Sequence, residues 1–416
     1  MREELIKLLN APERAARLAA LKKLAAPRAT DRDNVNGHIH TTYSFSPYSP
    51  ALAVYSALMN GLSLAGIMDH DSVAGAEEFI EAGKIAGVAT TVGFECRCDM
   101  SGTPFDGKYF NNPDQASVAY FTMHGVPRAN LARAEEFLKP FRKKRNARNV
   151  KMVEKLNDAV KKYGIYVDYE SDVAAASNSR EGGGVTERHI LCALALKLME
   201  KAGRGLRLID FLSDSFGIAV TGDNLKRLTD VQNAMYEYSL LNILKGELAG
   251  IFYIDAVGEC PTVSEFIKLG GEIGAIPAYA YLGDVAGSVT GDKRDQKFED
   301  GYLDEYVKYL SERGFGAFTF MPARNSARQL TRVIALCEKY DLFQISGEDI
   351  NSPFQPFVCE AMKKPEYRHL VDSTWALVGH EKAENGMFSA EMIERFPVLK
   401  DRIKYFAELG GRWDSE

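Results

Sequence analysis

The chain of 416 residues lacks several features that mark particular classes of protein. No stretch approaches the roughly 18 uninterrupted apolar residues of a transmembrane helix. The first residues, Met-Arg-Glu-Glu-Leu, lack the apolar block of a signal peptide. The six cysteines form no CxxC pair of zinc-finger spacing, so reduced thiols are expected. These absences predict a soluble cytoplasmic protein with no membrane partner.

An excess of positive charge is also missing. The formal net charge is -6 and the isoelectric point is near 5.8, whereas nucleic-acid binding requires a basic face. No nucleic-acid partner is therefore expected. The length and the hydrophobic content of 46% predict either two or three domains or one large barrel with an insertion.

Strand and helix patterns alternate along much of the chain. Predicted helices separate a series of short apolar strands, and repeated strand-then-helix units indicate a parallel sheet or barrel. The predicted strands are a short one ending in His38 and His40, then 64–68, 88–94, 118–123, 272–279, 317–320 and 342–345. The economical architecture is an α/β fold with a seven-stranded parallel barrel, closed except at one seam.

Residues 128–250 interrupt this rhythm with long helical stretches. Within them, three consecutive glycines at 182–184 disfavour a helix, since each costs about 1 kcal/mol relative to alanine. The basic run 142–145 is either a phosphate-binding cluster or, as we expect, a solvated helix face. The predicted organisation is an N-terminal helical segment (1–32), a first barrel part (33–127), a helical insertion (128–255), and a second barrel part with C-terminal helices (256–416).

Imidazole and carboxylate groups recur where the predicted strands end. His38 and His40 stand two apart on a strand, so both rings point to one side and can bind one ion. In a parallel barrel the carboxyl ends of the strands face a common mouth. A lone histidine or aspartate there is often a hydrogen-bonded ring or a helix cap. Here five strand ends contribute such groups, and a mixed nitrogen and oxygen shell suits Zn, Mn or Fe. The residues are His38, His40, Asp69, His70, Glu95, His124 and Asp349.

These residues stand in recognisable motifs. The segments His38-Ile39-His40-Thr41-Thr42-Tyr43-Ser44, Met68-Asp69-His70-Asp71 and Gly93-Phe94-Glu95, followed by the strand ending at His124, resemble the PHP (polymerase and histidinol phosphatase) superfamily of metal-dependent phosphoesterases. The resemblance runs from about residue 34 to about residue 360, apart from the helical insertion. It implies a distorted seven-stranded (β/α) barrel. It also implies that one to three divalent ions, Mn, Zn or Fe, activate a water against a small phosphorylated substrate.

The resemblance also implies a role for each matching residue. His38 and His40 would hold one ion, to which Asp349 returns. Glu95 would bridge two ions, and Asp69 would orient the histidine that follows it or contact metal or substrate. The implied metal ligands are His38, His40, His70, Glu95, His124 and Asp349.

Three positions depart from the family pattern. Phe45 stands where an acidic or histidine ligand is usual, and Asn351 closes the Asp-x-His motif. Tyr281 occupies the histidine position of Ala-His-Pro, unless a one-step shift selects Tyr279 instead. Tyr281 and Asn351 would then hold a water or the substrate, and a full trinuclear cluster is not expected. Two alternatives to a phosphoesterase follow: a non-catalytic metal- or ligand-binding protein, and a hydrolase of C–N bonds using the same metals.

The insertion contains one further candidate, Arg188-His189 at the start of a helix. Some family members carry Arg-Pro-His at such a place, facing the substrate. A guanidinium and the free N–H groups of a helix start suit phosphate, whereas the alternative is a structural histidine. Arg324, which follows the strand 317–320, is either a second phosphate contact or a surface arginine.

Overall fold

The structure is a computed structural model that describes residues 2–26, 30–284 and 299–413. A seven-stranded sheet organises it, with the strands in chain order across the sheet. The sheet curls into a half-barrel. A bridge between Ile39, at the end of the first strand, and Ile350, in the segment after the last strand, joins its two edges. The strands are β1 (Asp31–Ile39), β2 (Leu62–His70), β3 (Ala89–Asp99), β4 (Val118–His124), β5 (Ile276–Ala280), β6 (Ala317–Phe320) and β7 (Phe343–Ser346).

Helices precede, separate and follow the strands. None of those in the described residues is long and apolar enough to cross a bilayer. The α-helices are α1 (Arg2–Leu8), α2 (Arg14–Leu24), α3 (Pro50–Met59), α4 (Ala76–Ala86), α5 (Leu131–Val160), α6 (Glu187–Ala202), α7 (Leu206–Phe216), α8 (Gly222–Thr229), α9 (Tyr236–Phe252), α10 (Val263–Ile273), α11 (Leu303–Arg313), α12 (Ala327–Lys339), α13 (His369–Lys382), α14 (Ala390–Arg395) and α15 (Leu399–Gly410). Short 3-10 turns cover Arg128–Asn130, Lys161–Tyr163, Ser179–Glu181, Glu360–Lys363 and Pro365–Tyr367, and a π-helical turn covers Tyr169–Ala174.

The prediction of seven strands in an α/β fold is confirmed, but the prediction that all are parallel is wrong for β4. Strands β1 to β3 are parallel to one another, as are β5 to β7, whereas β4 pairs antiparallel with both β3 and β5. The residues between β3 and β4 form turns and bends without a helix, which allows the chain to reverse. Only a parallel neighbour requires a long crossover connection.

Two strand boundaries also differ from the sequence-based expectation. Helix α10 continues to Ile273, so β5 begins at Ile276 and is shorter than expected. Strand β3 continues to Asp99, so Glu95 lies inside the strand instead of at its end. Glu95 nevertheless pairs with His70, the last residue of β2, and the two side chains are therefore neighbours.

The buried apolar residues form two clusters. The larger contains the strands and the helices that cover them, with Phe94, Phe121 and Phe318 among its members. The smaller lies within the helical segment of residues 128–255 and is built mainly from α5, α6 and α9. Phe45, from the turn that follows β1, belongs to this second cluster and attaches the helical segment to the sheet.

Helix α5 passes from one cluster to the other, and its basic run differs from expectation. Lys143 and Lys144 are exposed, but Arg142 and Arg145 are buried, so the predicted solvated face is wrong for the two arginines. Positions three apart share a helix face, and this face turns towards the sheet.

Candidate metal centre

Three imidazoles and two carboxylates converge at one end of the curled sheet. The Oε2 atom of Glu95 lies 3.8 Å from Nε2 of His38, 3.9 Å from Nε2 of His40 and 3.3 Å from Nδ1 of His70. On the other side of His40, its Nε2 atom lies 3.2 Å from Oδ1 of Asp349. The structure thus brings together five of the six predicted ligands.

Backbone hydrogen bonds bring Asp349 to the histidine pair. The segment after β7 lies along β1, where the Ile350 N–H donates to the His38 carbonyl at 3.0 Å and the His40 N–H donates to the Ile350 carbonyl at 2.9 Å. The side chain of Asn36 adds a bond to the carbonyl of Glu348 at 3.1 Å. The seam of the half-barrel is therefore also the place where the ligands meet.

Asp69 lies behind His40 instead of facing the centre. Its carboxylate accepts from the backbone N–H and the hydroxyl of Thr41, both at 2.6 Å, and from the hydroxyl of Ser44 at 2.7 Å. The Ser44 oxygen lies 3.2 Å from Nδ1 of His40. Because the Ser44 hydroxyl donates its proton to Asp69, its oxygen accepts from Nδ1 of His40, and Nε2 is the nitrogen that remains to face a metal ion. Asp69 therefore orients His40 and not, as expected, His70.

His70 borders the centre on its open side. Its Nδ1 atom is buried and forms no hydrogen bond with any described residue. Its ring lies 4.6 Å from the ring of His40 and 5.4 Å from that of Tyr120, between centroids. The side chain is 23% exposed, and that of Asp349 is 38% exposed. A small molecule approaching the centre would meet these two residues first.

The electrostatics favour neutral rings at His38 and His70, but a protonated ring at His40 beside the ionised carboxylate of Asp349. Burial lowers the pKa of His38 to about 4 and that of His70 well below its usual value. Burial acts on His40 in the same direction, but the hydrogen bond and charge of Asp349 raise its pKa overall. Burial would raise the pKa of Asp349, yet the hydrogen bond and charge of His40 hold it well below its usual range. Metal ligands require neutral imidazole and carboxylate, so His38, His70 and Asp349 favour the ligand state, whereas His40 would release a proton when an ion binds.

His124 lies outside this cluster. Because β4 is antiparallel, the residue is level with Ile276 at the start of β5 and not with the strand ends of the mouth. It is buried, and its Nε2 atom lies 3.0 Å from the hydroxyl of Thr319. Burial, aided by His38, lowers its pKa to about 3.

Tyr281 lies on the opposite side of the sheet from the centre, which corrects its predicted contact with substrate or water. Its hydroxyl donates to Asp300, while Tyr279 donates to Glu299. Both rings face the outer helices, because residues two apart on a strand share a face, and the ring of Tyr279 packs on Tyr306 of α11. The one-step shift between the two tyrosines therefore selects the same outer face.

Arg188 and Asn351 extend the centre towards the helical segment. Nη1 of Arg188 donates to Oδ1 of Asn351 at 2.9 Å, and Nδ2 of Asn351 donates to Oδ1 of Asp349 at 2.8 Å. A chain of two hydrogen bonds thus links the start of α6 to a candidate metal ligand. Arg324 lies in the turn after β6, where its N–H donates to the Met321 carbonyl at 3.0 Å.

His189 has a structural position. Its Nδ1 atom accepts from the backbone N–H of Thr186 at 3.0 Å and completes a capping box at the start of α6. Its ring packs edge-on against Phe45, with centroids 5.0 Å apart. Burial lowers its pKa to about 4. These contacts correspond to the structural alternative for this residue.

The sequence reasoning missed three residues around the centre: Ser44, Tyr120 and Gly184. Gly184 donates its N–H to the carbonyl of Tyr43 at 2.7 Å, and a Cβ atom there would lie 2.6 Å from the carbonyl oxygen of His70. The glycine run therefore permits a close approach of two backbones. Tyr120 and His124 are four residues apart on β4, so their side chains lie on the same, inner face of the sheet.

The side chains present fit a divalent ion. His38, His40 and Glu95 each offer one ligand atom, and these atoms lie within 4.8 Å of one another. Imidazole with carboxylate is the donor set of Zn, Mn and Fe sites. Cys96 and Cys98, by contrast, lie in the larger apolar cluster with their thiols free.

No protein-family model matches the sequence, and no curated protein matches it. Solved structures with a similar fold include a phosphoesterase candidate and an amidohydrolase. A candidate metal-dependent phosphoesterase from Bifidobacterium adolescentis has a TM-score of 0.53 and 18% identity, over 84% of this chain and 98% of that chain. An amidohydrolase from Chromobacterium violaceum, solved with bound sulfate and no metal, has a TM-score of 0.51 and 14% identity, over 82% of this chain and 96% of that chain. The chain therefore has a fold similar to those of a metal-dependent phosphoesterase candidate and an amidohydrolase.

Proposed function

We propose that the chain is a metal-dependent hydrolase of the PHP type that cleaves a phosphate ester of a small metabolite. The observation that carries the proposal is the convergence of three imidazoles and two carboxylates beside the guanidinium of Arg188. The resemblance of the surrounding motifs to PHP phosphoesterases supports the same conclusion.

The ligands divide into two groups. His38, His40, Glu95 and Asp349 would hold one ion, and His70 with Glu95 would contribute to a second, since Oε2 of Glu95 faces all three rings. Such ions polarise a phosphoryl oxygen and lower the pKa of a water. The ions themselves would be Mn, Zn or Fe.

The family's third ion has few ligands left in this chain. The side chain of Phe45 is packed between His189 and Tyr238 in the second apolar cluster. Asn351 uses its amide oxygen for Arg188 and its amide nitrogen for Asp349. We therefore expect one or two ions per chain.

The protein side chains supply the binding and orientation of the substrate. A guanidinium binds phosphoryl oxygens through two parallel N–H donors, and Arg188 lies next to the exposed edge of Asp349. Asn351 holds the guanidinium there, while Ser44 and Asp69 hold His40 from behind. No nucleophilic side chain is required by this arrangement.

Cleavage of a C–N bond is the second candidate, because an amidohydrolase has a similar fold. One observation favours phosphate. Arg188 places a positive charge beside Asp349 and Asn351, which a neutral amide does not need.

The test combines metal analysis with a substrate panel. Purified protein is expected to contain metal and to release phosphate from at least one phosphomonoester or diester with added Mn or Zn. His40→Ala should abolish both, whereas His369→Ala, at an exposed histidine that lies 2.9 Å from Gln344, should change neither. Bound metal without release from any phosphate ester would contradict the phosphoesterase, and turnover of an amide panel alone would establish the second candidate.

A further inference from the structure

Asp71, the residue after His70, has a left-handed backbone with φ of 53°. Three contacts hold it in this conformation. Its N–H donates to the Glu95 carbonyl at 2.8 Å, its carbonyl accepts from Nη1 of Arg142 at 2.8 Å, and its carboxylate is paired with Arg145. The left-handed region is unfavourable for residues with a side chain, so these contacts determine how β2 ends. The end of β2 is therefore held by two arginines of α5.

Arg145 also contacts the start of α6. Its Nη2 atom lies 3.5 Å from Oε2 of Glu187, the residue before Arg188. The side chain of Arg145 is only 3% exposed. One buried guanidinium thus touches two carboxylates, one directly after His70 and one directly before Arg188.

The buried cluster around Arg145 contains equal numbers of guanidinium and carboxylate groups. Arg148 lies 2.6 Å from Glu187 and 2.7 Å from Glu259, and Arg97 is paired with Glu259 and lies 3.6 Å from Glu187. With Asp71 and Arg145, this makes three guanidinium groups and three carboxylates. The arginines together hold the pKa of Glu187 well below its usual value although burial would raise it. Glu187 is therefore an ionised anchor for all three arginines.

We propose that Arg145 is a positioning residue that fixes the end of β2 and the start of α6 as one unit, and thereby sets where His70 and Arg188 stand. The inference concerns the site of the proposed function and rests on it for its consequence in metal binding. A planar guanidinium can reach two carboxylates at once, whereas an ammonium group acts as a point charge. Gly184, whose backbone approaches the His70 carbonyl, provides a second contact between the same two segments.

Metal binding at His70 and the stability of the start of α6 are thermodynamically coupled through this unit. If Arg145 holds His70 in place, then loosening the start of α6 weakens metal binding, and metal binding protects the start of α6 to the same extent. If Arg145 merely stabilised the fold, its replacement would speed amide hydrogen exchange throughout the sheet. If it is a positioning residue, its replacement speeds amide hydrogen exchange in the two segments that it joins.

The experiment compares Arg145→Met and Arg145→Lys with Lys143→Met, an exposed change on the same helix, in the full chain. Hydrogen exchange is measured without metal and with Zn²⁺, and Zn²⁺ affinity is measured by titration. In Arg145→Met we expect roughly tenfold faster exchange at the Asp71 and Gly184 amides, unchanged exchange in β6, and roughly tenfold weaker zinc binding, as for other residues that orient ligands. Arg145→Lys should show smaller changes in the same places.

Wild-type exchange at Asp71 and Gly184 in a folded Arg145→Met variant would overturn the proposal. If that variant does not fold, Arg145→Lys decides by the same criterion. Faster exchange spread evenly over the sheet would also overturn it, because the role would then be general stability. Should the wild-type chain bind none of zinc, manganese and iron while the local exchange changes appear, the positioning role stands and the proposed function fails.

Discussion

The Nε2 atom of His40 lies 3.2 Å from the Oδ1 atom of Asp349, and this contact joins the first strand of the sheet to the segment after the last. The backbone bonds that close the seam run through the same residues, because the His40 N–H donates to the carbonyl of Ile350. The contacts that close the half-barrel therefore also bring Asp349 next to His40.

Asp349→Asn tests this contact directly. The amide cannot supply the same anionic oxygen, so we expect zinc affinity to fall by more than about 100-fold, beyond the effect of losing a residue that only orients a ligand. Competition with a chromophoric chelator measures the affinity. Asp372→Asn, at an exposed position in α13, is the matched control and should bind zinc as the wild type does.

Ser44→Ala should weaken zinc binding without removing a ligand. The change breaks the link between Asp69 and Nδ1 of His40, and loss of such outer contacts typically costs about 10- to 100-fold in metal affinity. Ser46→Ala is the control, since among the described residues the Ser46 hydroxyl has a single long bond, which it accepts from the Tyr48 N–H at 3.4 Å. Equal affinities of the two variants would show that Ser44 does not orient His40.

The metal-free protein should lose stability as the pH falls from about 6.5 towards 4. Burial lowers the pKa of His38, His124 and His380 to about 4, 3 and 4, below the usual 6.5. The unfolded chain then binds protons that the folded chain rejects, so the free energy of unfolding decreases on acidification. Each pKa unit corresponds to about 1.4 kcal/mol, so the total is on the order of several kcal/mol.

Urea unfolding in the presence of a chelator measures this dependence. The raised pKa of His40 acts in the opposite direction, because its contribution is present at low pH and is lost as the pH rises. Burial also raises the pKa of Glu299 to about 7 and that of Glu381 to about 8, which opposes the loss in the same way. The lowered pKa values of His70 and His189 add to the loss, so the buried histidines prevail. His380→Gln should flatten the slope, since it removes one titrating ring, which lies 2.7 Å from the Gly274 carbonyl. A stability that is constant or rises between pH of about 6.5 and 4 would contradict the assignment of these rings as neutral.

Tyr281→Phe should lower the free energy of unfolding and leave the phosphoesterase activity unchanged. The hydroxyl donates to Asp300 in the outer layer, and losing one such bond costs about 1 kcal/mol. Arg188→Ala is expected to do the reverse, with kcat/KM for a phosphate ester falling at least about tenfold and the melting temperature nearly unchanged. Steady-state kinetics and thermal melts of both variants check the contrast, and loss of activity in Tyr281→Phe would contradict the position given to its ring.

Much of this arrangement is readable from local patterns. The spacing of His38 and His40 places both rings on one side of a strand, and apolar runs locate the strands that carry His70 and Glu95. These features depend on residues close together in the chain, where strand and helix periodicity are informative.

Other features depend on partners far along the chain. The apolar pattern of β4 is the same for either strand direction, so His124 appeared to reach the mouth. The residues before Tyr281 are apolar on both faces of the strand, so the local sequence does not indicate which way its ring points. The hydrogen bond to Asp300, just before α11, fixes the ring on the outer face. The burial of Arg145 follows from Asp71 and Glu187, which no local window contains.

The most direct test of the account is the metal content of the purified chain and of Glu95→Ala, with Glu360→Ala as the control at an exposed glutamate. The Oε2 atom of Glu95 lies within 3.9 Å of a ring nitrogen of each of the three imidazoles. We expect one or two equivalents of zinc, manganese or iron in the wild type and in Glu360→Ala, and none retained by Glu95→Ala. Equal metal content in Glu95→Ala and the wild type would contradict it.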